Sequence, residues 1–405
     1  MKGLILTNHF SPENFKVNEL AFDLAKRGFE ITVVTGIPNY PAGKFFPGYG
    51  IFKRRTETID GVKIYRLPLI PRGNASRFRL VLNYSSYLVV SLLFVTFLAF
   101  RKKFDFIFVH QTSPVFIGIP AVIVKRIQKI PLYFWVLDLW PESMKAASGF
   151  SNPFITNRIN GLVKWIYRHC DKILISSNGF HQSIAEKGDF QEKIVSVPNW
   201  AESVFENNES IDPAPVLPDG FKIMYAGNIG LAQNMENLFA GILKLRDHTE
   251  IKWVIVGDGQ KFRWAKNFVE ENDLHQTVSL PGKYPLEVMP SFIQQADAML
   301  LTLKDSHIFS LTVPARLQAF MACSKPILGM VKGEAASVIT ESQSGLVSAP
   351  DDVAGFVQNV LRMKALKQEE LSKMGSNAKK YYDLNYNRQK ILDRIYGIIT
   401  NKNQS

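Results

Sequence analysis

The segment GLILTNHFSPENFKVNELAFDLAKRGFEITVVTG, residues 3–36, decides the fold of the first half of this chain. A short apolar run comes first, apolar residues at helical spacing follow in NELAFDLAKRG, and the β-branched run EITVVTG ends the segment. A strand, a helix and another strand in this order predict two parallel strands joined by a right-handed crossover. The segment therefore predicts an α/β domain with a parallel sheet.

The same alternation continues along the chain in two blocks. The first block adds VKIYRLP, a long apolar helix, FDFIFVH and PLYFWVLD, and the second starts with FKIMYAGN, NMENLFAGILKL and KWVIVGDG. Between them, VPNWAESVFENNESIDPAPVLPDG is rich in Pro, Asn and acidic residues, as linkers are. We therefore expect two doubly wound domains, residues 1–198 and 221–385, a linker at 199–220, and a C-terminal helix, about 386–405, that packs back on the first domain. Such a pair leaves a cleft, where ligands bind at the carboxyl ends of the strands.

The composition limits the classes of protein to which this chain can belong. Of its 405 residues, 46% are hydrophobic and 21% are charged, which is typical of a folded protein. Cys170 and Cys323 provide neither a disulfide framework nor a zinc cluster and fit a reducing cytosol. The apolar run near Met1 is too short for a signal peptide. We therefore expect the chain in the cytoplasm.

The net charge of +12 indicates an anionic partner. Lysine and arginine are scattered and accompany no nucleic-acid-binding motif, so a membrane surface or a phosphorylated substrate is favoured over nucleic acid. The run LVLNYSSYLVVSLLFVTFLAF, residues 80–100, is long enough to span a bilayer, but polar residues interrupt it and basic residues flank both ends. Three alternatives stay open for it: a buried core helix, a helix whose outer face lies in the membrane interface, and a membrane span.

Glycines follow two strands of the second block, where a ligand is expected to bind. YAGNIG places Gly227 and Gly230 at a strand-to-helix turn, and VGDGQ places Gly257 and Gly259 at the next one. Glycine allows the backbone to approach a ligand closely, and the N-terminus of the following helix attracts an anion. Neither turn is a P-loop and no Gly-x-Gly-x-x-Gly opens the first block, so NTP hydrolysis and nicotinamide chemistry are disfavoured.

Arg316 occupies an unusual position in the sequence. The segment TVPARLQAFMACSKP, residues 312–326, predicts a short helix that buries Leu317, Phe320 and Met321. Arg316 lies in its first turn, where the helix dipole disfavours a cation by about 0.3–1 kcal/mol. A bound anion would remove this penalty, and pairing with a surface carboxylate is the alternative.

Over nearly its whole length the chain resembles the retaining glycosyltransferases of family 4, whose two Rossmann-like domains face each other across a cleft (GT-B type). The motifs that carry the resemblance are ELAFDLAKRGFEITVVTG, WVLDLWPES, VPNW, YAGNIG, VGDG, LPGKYP, QQADAMLLTL, PARLQAFMACSKPI, KGEAASVI and SGLV. Within the family, the chain is most similar to bacterial O-antigen and capsule N-acetyl-L-fucosaminyltransferases. The resemblance implies transfer of an amino sugar, with retention, from UDP-N-acetyl-L-fucosamine or a related UDP-amino sugar to a polyprenyl-diphosphate-linked saccharide.

The resemblance assigns roles to residues of the second block. Arg316 would bind the donor diphosphate and act in catalysis, and the glycine turns would line the donor site. Two glutamates that many members carry are absent, because Leu311 and Ala319 stand at their positions. Gln318 and Glu334 are the two alternatives for the ribose contact. The expected donor-binding set is Gly227, Asn228, Gly230, Gly257, Gly259, Arg316, Gln318 and Glu334.

The resemblance also assigns residues of the first block. Asp138 would lie near the acceptor or the reacting sugar and act in catalysis, whereas capping of the next turn is its alternative role. Asn14, Phe15 and Lys16 stand where the family usually has glycines, and with His110 they form the expected acceptor-binding set. No paired carboxylates follow a strand, so neither a metal nor another cofactor is expected.

Enzymes of the resembled kind act on lipid-linked sugars, which implies a peripheral protein at the inner face of the cytoplasmic membrane, attached through its first domain. Two further functions stay open. A nucleotide-sugar 2-epimerase uses the same two-domain architecture and needs no acceptor. A non-catalytic protein that binds lipid-linked sugars would account for the absent glutamates and the long apolar helix.

Overall fold

The computed structural model describes residues 1–74, 76–144, 152–206 and 215–400. The chain divides into two compact units, Met1–Val197 with Leu392–Ser405, and Pro198–Ile391. We call them the first and the second domain.

The segment predicted as a linker packs on the second domain where it is described. Phe205 and Leu217 are buried in the core of that domain. Residues 207–214 of the linker and residues 401–405 of the predicted C-terminal helix lie outside the described residues. The described ends of the linker are therefore part of the second domain and not a free connection.

The first domain is built on a mainly parallel sheet, as the sequence predicts. Its elements are β1 (Lys2–Thr7), α1 (Lys16–Lys26), β2 (Glu30–Gly36), β3 (Thr56–Ile59), β4 (Val62–Leu67), α2 (Arg77–Arg101), β5 (Phe106–Gln111), α3 (Gly118–Gln128), β6 (Leu132–Val136), α4 (Pro153–His169), β7 (Lys172–Ile175), α5 (Phe180–Ala185) and β8 (Ile194–Ser196). The sheet has the order β3-β4-β2-β1-β5-β6-β7-β8, and only β3 runs antiparallel to its neighbour.

The second domain repeats this architecture with a smaller sheet. Its elements are α6 (Ser203–Glu206), β9 (Phe221–Ala226), α7 (Met235–Lys244), β10 (Ile251–Val256), α8 (Phe262–Glu271), β11 (Val278–Gly282), α9 (Met289–Gln295), β12 (Ala298–Thr302), α10 (His307–Ser310), α11 (Ala315–Ala322), β13 (Ile327–Met330), α12 (Glu334–Glu341), β14 (Gly345–Ser348), α13 (Val353–Lys364) and α14 (Gln368–Asn385). The order is β11-β10-β9-β12-β13-β14, all parallel. The last helix, α15 (Arg388–Thr400), runs from the second domain into the first.

Each sheet has a point at which the strand order reverses. In the first sheet, β1 lies between β2 and β5, and in the second, β9 lies between β10 and β12. Ligands of doubly wound folds bind beyond the carboxyl ends of the strands at such points. The residues that follow β1 and β5, and those that follow β9 and β10, are therefore in position to form sites.

Helix α2 buries Val95, Leu98 and Ala99 but exposes a larger set of apolar side chains on its outer face. Among the described residues it is the one helix long and apolar enough to cross a membrane, and only 22% of its most apolar stretch is buried. The large apolar residues that it exposes are Phe78, Val81, Val89, Leu93, Phe97 and Phe100. The interpretation of this run as a buried core helix is therefore wrong.

Polar residues of α2 face the domain instead. The Tyr87 hydroxyl donates to the Thr7 carbonyl oxygen at 2.8 Å, and the Asn83 side chain donates to the Ile70 carbonyl oxygen at 2.6 Å. Ser91 is buried one turn further on. The polar residues that interrupt the apolar run in the sequence thus attach the helix to its own domain, and six large apolar residues on its outer face stay exposed.

Candidate functional site

The glycine turns of the second domain lie against each other at the carboxyl ends of β9 and β10. The Gly227 N–H donates to the Val256 carbonyl oxygen at 3.0 Å. A Cβ on Gly257 would lie 1.8 Å from the Gly227 carbonyl oxygen, and both glycines have φ near +140°, at +145° and +136°. Only glycine fits such a contact. The two turns therefore form one surface made of backbone.

Asn228 joins the two turns further. A Cβ on Gly230 would lie 2.6 Å from Asn228 Nδ2, and a Cβ on Gly259 would lie 2.5 Å from Asn228 Oδ1. The Ile229 N–H donates to the Asp258 carbonyl oxygen at 2.9 Å. The structure thus brings together all four predicted glycines and Asn228, whose side chain is exposed at this edge.

Arg316 lies beside the first glycine turn. Helix α11 follows Pro314 and places Arg316 in its first turn, as the sequence predicts. The guanidinium carbon is 5.0 Å from the centre of the Tyr225 ring and would be 3.6 Å from a Cβ on Gly227. In the described part of the chain, Nη1 of Arg316 is buried and has no hydrogen-bond partner. A cation with an unused donor beside a backbone-lined turn is suited to bind an anion.

Gln318 and Glu334, the two alternatives for the ribose contact, differ in exposure. Gln318 is fully buried, and neither polar atom of its amide has a partner among the described residues. Glu334 begins α12 and is partly exposed. Burial raises the pKa values of Tyr381 and Tyr386, and the charge of Glu334 contributes to both shifts. Glu334 can therefore meet a ligand at the surface, whereas Gln318 lies inside the domain.

The carboxyl ends of β1 and β5 hold a buried imidazole. His110 Nδ1 lies 3.1 Å from the Thr7 hydroxyl oxygen. Burial, followed by the neighbouring His9, lowers the pKa of His110 to about 3. The ring edge faces Phe15 at 6.2 Å and Trp135 at 5.5 Å between centroids. His110 is therefore a neutral hydrogen-bonding group that supports this edge from beneath.

The loop after β1 is filled by side chains. His9 Nδ1 lies 3.0 Å from one carboxylate oxygen of Glu13, and the other oxygen accepts from the N–H groups of Asn39 at 2.8 Å and Tyr40 at 2.6 Å. Phe15 stacks on the His9 ring at 4.9 Å and 10°. The phenyl ring that stands at an expected glycine position is thus part of an ordered aromatic cluster.

The other two acceptor-binding predictions have different surroundings. Asn14 is exposed, and Lys16 begins α1 with its Nζ 4.0 Å from Glu19. Of the four predicted acceptor residues, the structure brings Phe15 and His110 into contact, leaves Asn14 exposed, and holds the Lys16 side chain mostly buried, with 12% of it exposed.

Three residues of this edge were not predicted from the sequence. Tyr40 packs against His9 and Phe15 at 5.4 and 5.6 Å. The guanidinium of Arg72 lies over the rings of Tyr40 at 5.3 Å and Tyr84 at 5.5 Å. No local sequence motif predicts this cluster. Its three residues come from separate segments: the loop after β2, the loop after β4 and helix α2.

Asp138 lies after β6 and is held by hydroxyl groups. Ser113 and Ser143 both donate to its carboxylate, and Trp140 Nε1 donates to the Ser113 hydroxyl at 3.0 Å. Burial raises the pKa of Asp138, although the two serine hydroxyls oppose the shift. The carboxyl group of Asp138 is therefore fixed in orientation just beyond the carboxyl end of β6.

The described residues offer little support for a metal site or for a reactive thiol. The described residues include no group of three or more His, Cys, Asp and Glu side chains placed to hold a metal ion. Cys170 and Cys323 are buried, and burial raises the pKa of both thiols, that of Cys323 to about 12. Neither cysteine is a reactive thiolate at neutral pH.

Two protein families match the chain, one in each half. The family described as "Glycosyl transferase 4-like domain" matches residues 15–200, and the family described as "Glycosyl transferases group 1" matches residues 207–381. Together they include the glycine turns and Arg316 of the second domain and, in the first domain, Phe15, His110 and Asp138.

Curated relatives and solved structures extend this result. The "Putative colanic acid biosynthesis glycosyl transferase WcaI" of Escherichia coli K12 is 23% identical over 319 residues, 75% of this chain and 77% of the relative. The N-acetyl-alpha-D-glucosaminyl L-malate synthase of Bacillus anthracis is 22% identical over 387 residues, 93% of this chain and 90% of the relative. Anabaena Alr3699/HepE in complex with UDP and glucose has a TM-score of 0.68 at 12% identity and covers 99% of both chains. The structural similarity shows a fold of two Rossmann-like domains, GT-B.

Proposed function

The chain belongs to the glycosyltransferases of these two families and uses a nucleotide-sugar donor, and from that premise we propose that it transfers a UDP-linked amino sugar to a lipid-linked saccharide. The glycine edge of the second domain with Arg316 is the observation that carries the proposal. Within this class, UDP-N-acetyl-L-fucosamine is the proposed donor, and surface polysaccharide synthesis, as of O-antigen or capsule, is the proposed context.

Relatives support the donor and the context. HepE binds UDP, the Bacillus anthracis relative is named for an N-acetylglucosaminyl group, and the Escherichia coli relative is named for colanic acid, a polysaccharide. We propose that Arg316 binds the donor diphosphate and that the glycine turns allow the diphosphate to approach the backbone closely, since the Gly227 and Gly257 N–H groups are themselves bonded to the Val256 and Gly282 carbonyl oxygens. Glu334 is proposed for the ribose contact, because it is partly exposed while Gln318 is buried.

The proposed reaction proceeds with retention and without a metal ion. The bond from the anomeric carbon to the diphosphate breaks, the acceptor oxygen bonds to that carbon on the same face, and the hydroxyl proton passes to a diphosphate oxygen. Arg316 would stabilise the negative charge that grows on the leaving diphosphate, a task that other transferases give to a divalent cation. Asp138, fixed by Ser113 and Ser143, would orient an acceptor hydroxyl.

We propose that the first domain binds the inner face of the cytoplasmic membrane through α2. The exposed face of this helix is apolar, and the exposed basic residues Arg79, Arg101 and Lys103 lie at its two ends. An amphipathic arrangement with cations at its ends is typical of helices in the interface of anionic membranes. The hydrogen bonds of Asn83 and Tyr87 to the domain argue against a membrane span, because a spanning helix would have to break them.

A turn in the first domain supports the same proposal. Gly50 and Lys53 exchange backbone hydrogen bonds at 3.1 and 3.3 Å, which leaves Ile51 and Phe52 at the tip. Phe52 is 96% exposed, and Lys53 and Arg54 beside it are exposed as well. An ordered turn that exposes a phenyl ring next to two cations suits insertion between anionic lipid head groups.

The experiment that tests the proposed function measures binding and turnover separately. Calorimetric titration with UDP compares the wild type with Arg316→Gln, and we expect at least a tenfold loss of affinity because a bidentate phosphate contact contributes roughly 1.5–3 kcal/mol. Turnover is followed by mass spectrometry with a panel of UDP-sugars and a membrane extract that supplies the acceptor. We expect transfer that excess EDTA does not reduce.

Each other result has a defined meaning. Equal UDP affinity in both proteins would remove Arg316 from the donor site. A donor that is epimerised without acceptor would support the 2-epimerase, and binding without turnover for any donor would support the non-catalytic protein. Activity lost in EDTA and restored by manganese would contradict the metal-independent reaction.

A further inference from the structure

Arg72 is held in an unusual environment between β4 and α2. Its guanidinium lies over the rings of Tyr40 and Tyr84, with 5.3 and 5.5 Å from the guanidinium carbon to the ring centres. One terminal nitrogen donates to the Tyr84 hydroxyl at 2.7 Å. The rings and this hydrogen bond fix the plane of the group.

The side chain of Arg72 has donors to spare. Its Nε is buried and, among the residues that the structure describes, has no hydrogen-bond partner. The carboxylate of the same cluster, Glu13, is already occupied by His9 and by the N–H groups of Asn39 and Tyr40. A buried donor without a partner costs about 1–3 kcal/mol, so an anion that accepts from Arg72 would recover this free energy on binding.

The geometry of the group selects the kind of anion. A planar guanidinium presents parallel N–H donors that match two oxygens of one phosphate or carboxylate. The rings of Tyr40 and Tyr84 both lie against the guanidinium, one terminal nitrogen is bonded to the Tyr84 hydroxyl, and Nε is the donor without a partner among the described residues. The site is therefore suited to a phosphate group that approaches the edge of the guanidinium.

The position of Arg72 indicates which phosphate this is. On one side, Tyr40 connects it to Phe15 and His9 of the predicted acceptor loop. On the other side, Tyr84 belongs to α2, whose outer face is the proposed membrane contact. The order of acceptor loop, arginine and membrane helix matches the order of saccharide, phosphate and lipid in a lipid-linked saccharide.

We infer that Arg72 binds the phosphate or diphosphate that joins the acceptor saccharide to its lipid. This inference rests on the proposed function. It adds a residue that recognises the phosphate between the acceptor saccharide and its lipid. The donor diphosphate has its own candidate in Arg316 of the second domain, so the two arginines serve different substrates. Arg72 is a binding residue and takes no part in bond breaking.

The test measures binding of farnesyl diphosphate, which carries the same diphosphate on a short isoprenoid chain. Arg72→Gln is expected to lose at least tenfold in affinity, and Arg72→Lys severalfold, because lysine keeps the charge but lacks the fork. Tyr84→Phe removes only the hydroxyl that orients Arg72 and is expected to lose about threefold. The Tyr84→Phe variant still tests the role of Arg72 if both Arg72 variants fail to fold.

The control is Arg158→Gln, because Arg158 is an exposed arginine of the same domain that also lies over an aromatic ring, that of Phe154 at 4.9 Å. We expect its affinity for farnesyl diphosphate to stay within twofold of the wild type. Inorganic diphosphate and phosphatidylglycerol vesicles are titrated in parallel. Loss of farnesyl diphosphate affinity in Arg72→Gln supports the inference. An equal loss for phosphatidylglycerol vesicles, or a wild type that binds inorganic diphosphate as tightly as farnesyl diphosphate, would overturn it, because Arg72 would then recognise surface charge or any free anion.

Failure of the inference and failure of the proposed function give different results. If Arg72→Gln and Arg158→Gln bind farnesyl diphosphate equally while UDP-sugar transfer proceeds, Arg72 is only structural and the proposed function stands. If the wild type transfers no sugar, the proposed function fails whatever Arg72 does. In an active enzyme, Arg72→Gln is expected to raise KM for the lipid-linked acceptor at least tenfold and to leave UDP affinity unchanged.

Discussion

The two domains build their carboxyl edges from different materials. In the second domain the ligand-facing surface is mainly backbone, because Gly227 and Gly257 touch, with the charged side chains of Arg316 and Asp258 at the two turns. In the first domain the edge is filled by side chains, with Phe15 stacked on His9 and Glu13 hydrogen-bonded beneath. A backbone edge suits the phosphate chain that all nucleotide sugars share. A surface made of side chains would suit one particular acceptor, so we propose that the second domain supplies the general chemistry and the first domain the specificity.

The largest effect is expected from a side chain placed between the two glycine turns of the second domain. Gly257→Ala would bring a Cβ within 1.8 Å of the Gly227 carbonyl oxygen, at a φ of +145°. The two turns would have to separate, and we expect a loss of about 3 kcal/mol or more in the free energy of unfolding together with loss of UDP binding. Urea unfolding of the variant and titration with UDP measure both effects.

Gly282→Ala is the matched control in the same domain. Gly282 also has a positive φ, +85°, but no atom lies within 4 Å of the position that a Cβ would take there. The control therefore carries only the backbone strain, about 1–2 kcal/mol, and should still bind UDP. If Gly257→Ala behaves like Gly282→Ala, the second edge does not depend on contact between the two turns.

The site residues of the second domain could be predicted from the sequence, because the motifs that indicate them are local. Each glycine follows a β-branched strand within a few residues, and Arg316 follows Pro314 at the start of a short helix. Strand, turn and helix N-terminus then fix where these residues lie. The parallel sheets were predictable for the same reason, since strands and helices alternate along the chain.

The cluster of side chains near the carboxyl ends of β1 and β5 in the first domain could not be predicted in the same way. Tyr40, Arg72 and Tyr84 come from three separate segments, and tertiary packing alone brings them together. The burial of His110 was also not evident, because a histidine at a strand end is equally compatible with an exposed or a buried position. For α2 the composition left three alternatives, and the exposure of its apolar residues excludes only the buried core helix.

The exposed face of α2 allows the proposed membrane contact of the first domain to be tested. Leu93→Ser with Phe100→Ser removes two apolar side chains that are 69% and 74% exposed. Burying each in a membrane interface contributes roughly 1.5–3 kcal/mol, so we expect about a hundredfold loss of affinity for anionic vesicles. Phe52→Ser is expected to lose severalfold. Flotation with phosphatidylglycerol and with neutral phosphatidylcholine vesicles measures the effect.

Controls for flotation come from both domains. Val216→Ser with Leu384→Ser removes two exposed apolar residues of the second domain and should leave binding unchanged. Arg101→Gln with Lys103→Gln tests the charge, and Lys102 is left intact because its Nζ pairs with Glu30 at 2.8 Å. A wild type that ignores anionic vesicles, or a Leu93/Phe100 variant that still floats with them, would leave α2 without a membrane role.

The smallest expected effect concerns the buried imidazole of the first edge. Burial lowers the pKa of His110 to about 3, below the ordinary value of 6.5. Between these pH values the unfolded chain binds a proton that the folded chain does not, so the contribution of His110 to stability falls as the pH is lowered through this window. From pH 6.5 to 5.0 the loss amounts to about 1.5 kcal/mol.

His110→Gln isolates this contribution, because glutamine can still bond to Thr7 but does not titrate. We expect the variant to lose about 1.5 kcal/mol less than the wild type between pH 6.5 and 5.0 in urea unfolding. In the folded wild type, the His110 ring resonance, assigned by its absence from the variant spectrum, should not shift between pH 5 and 8. A midpoint inside that range would mean that water reaches the ring. The first edge would then be open beneath Phe15, and its contrast with the backbone edge would rest on the aromatic cluster alone.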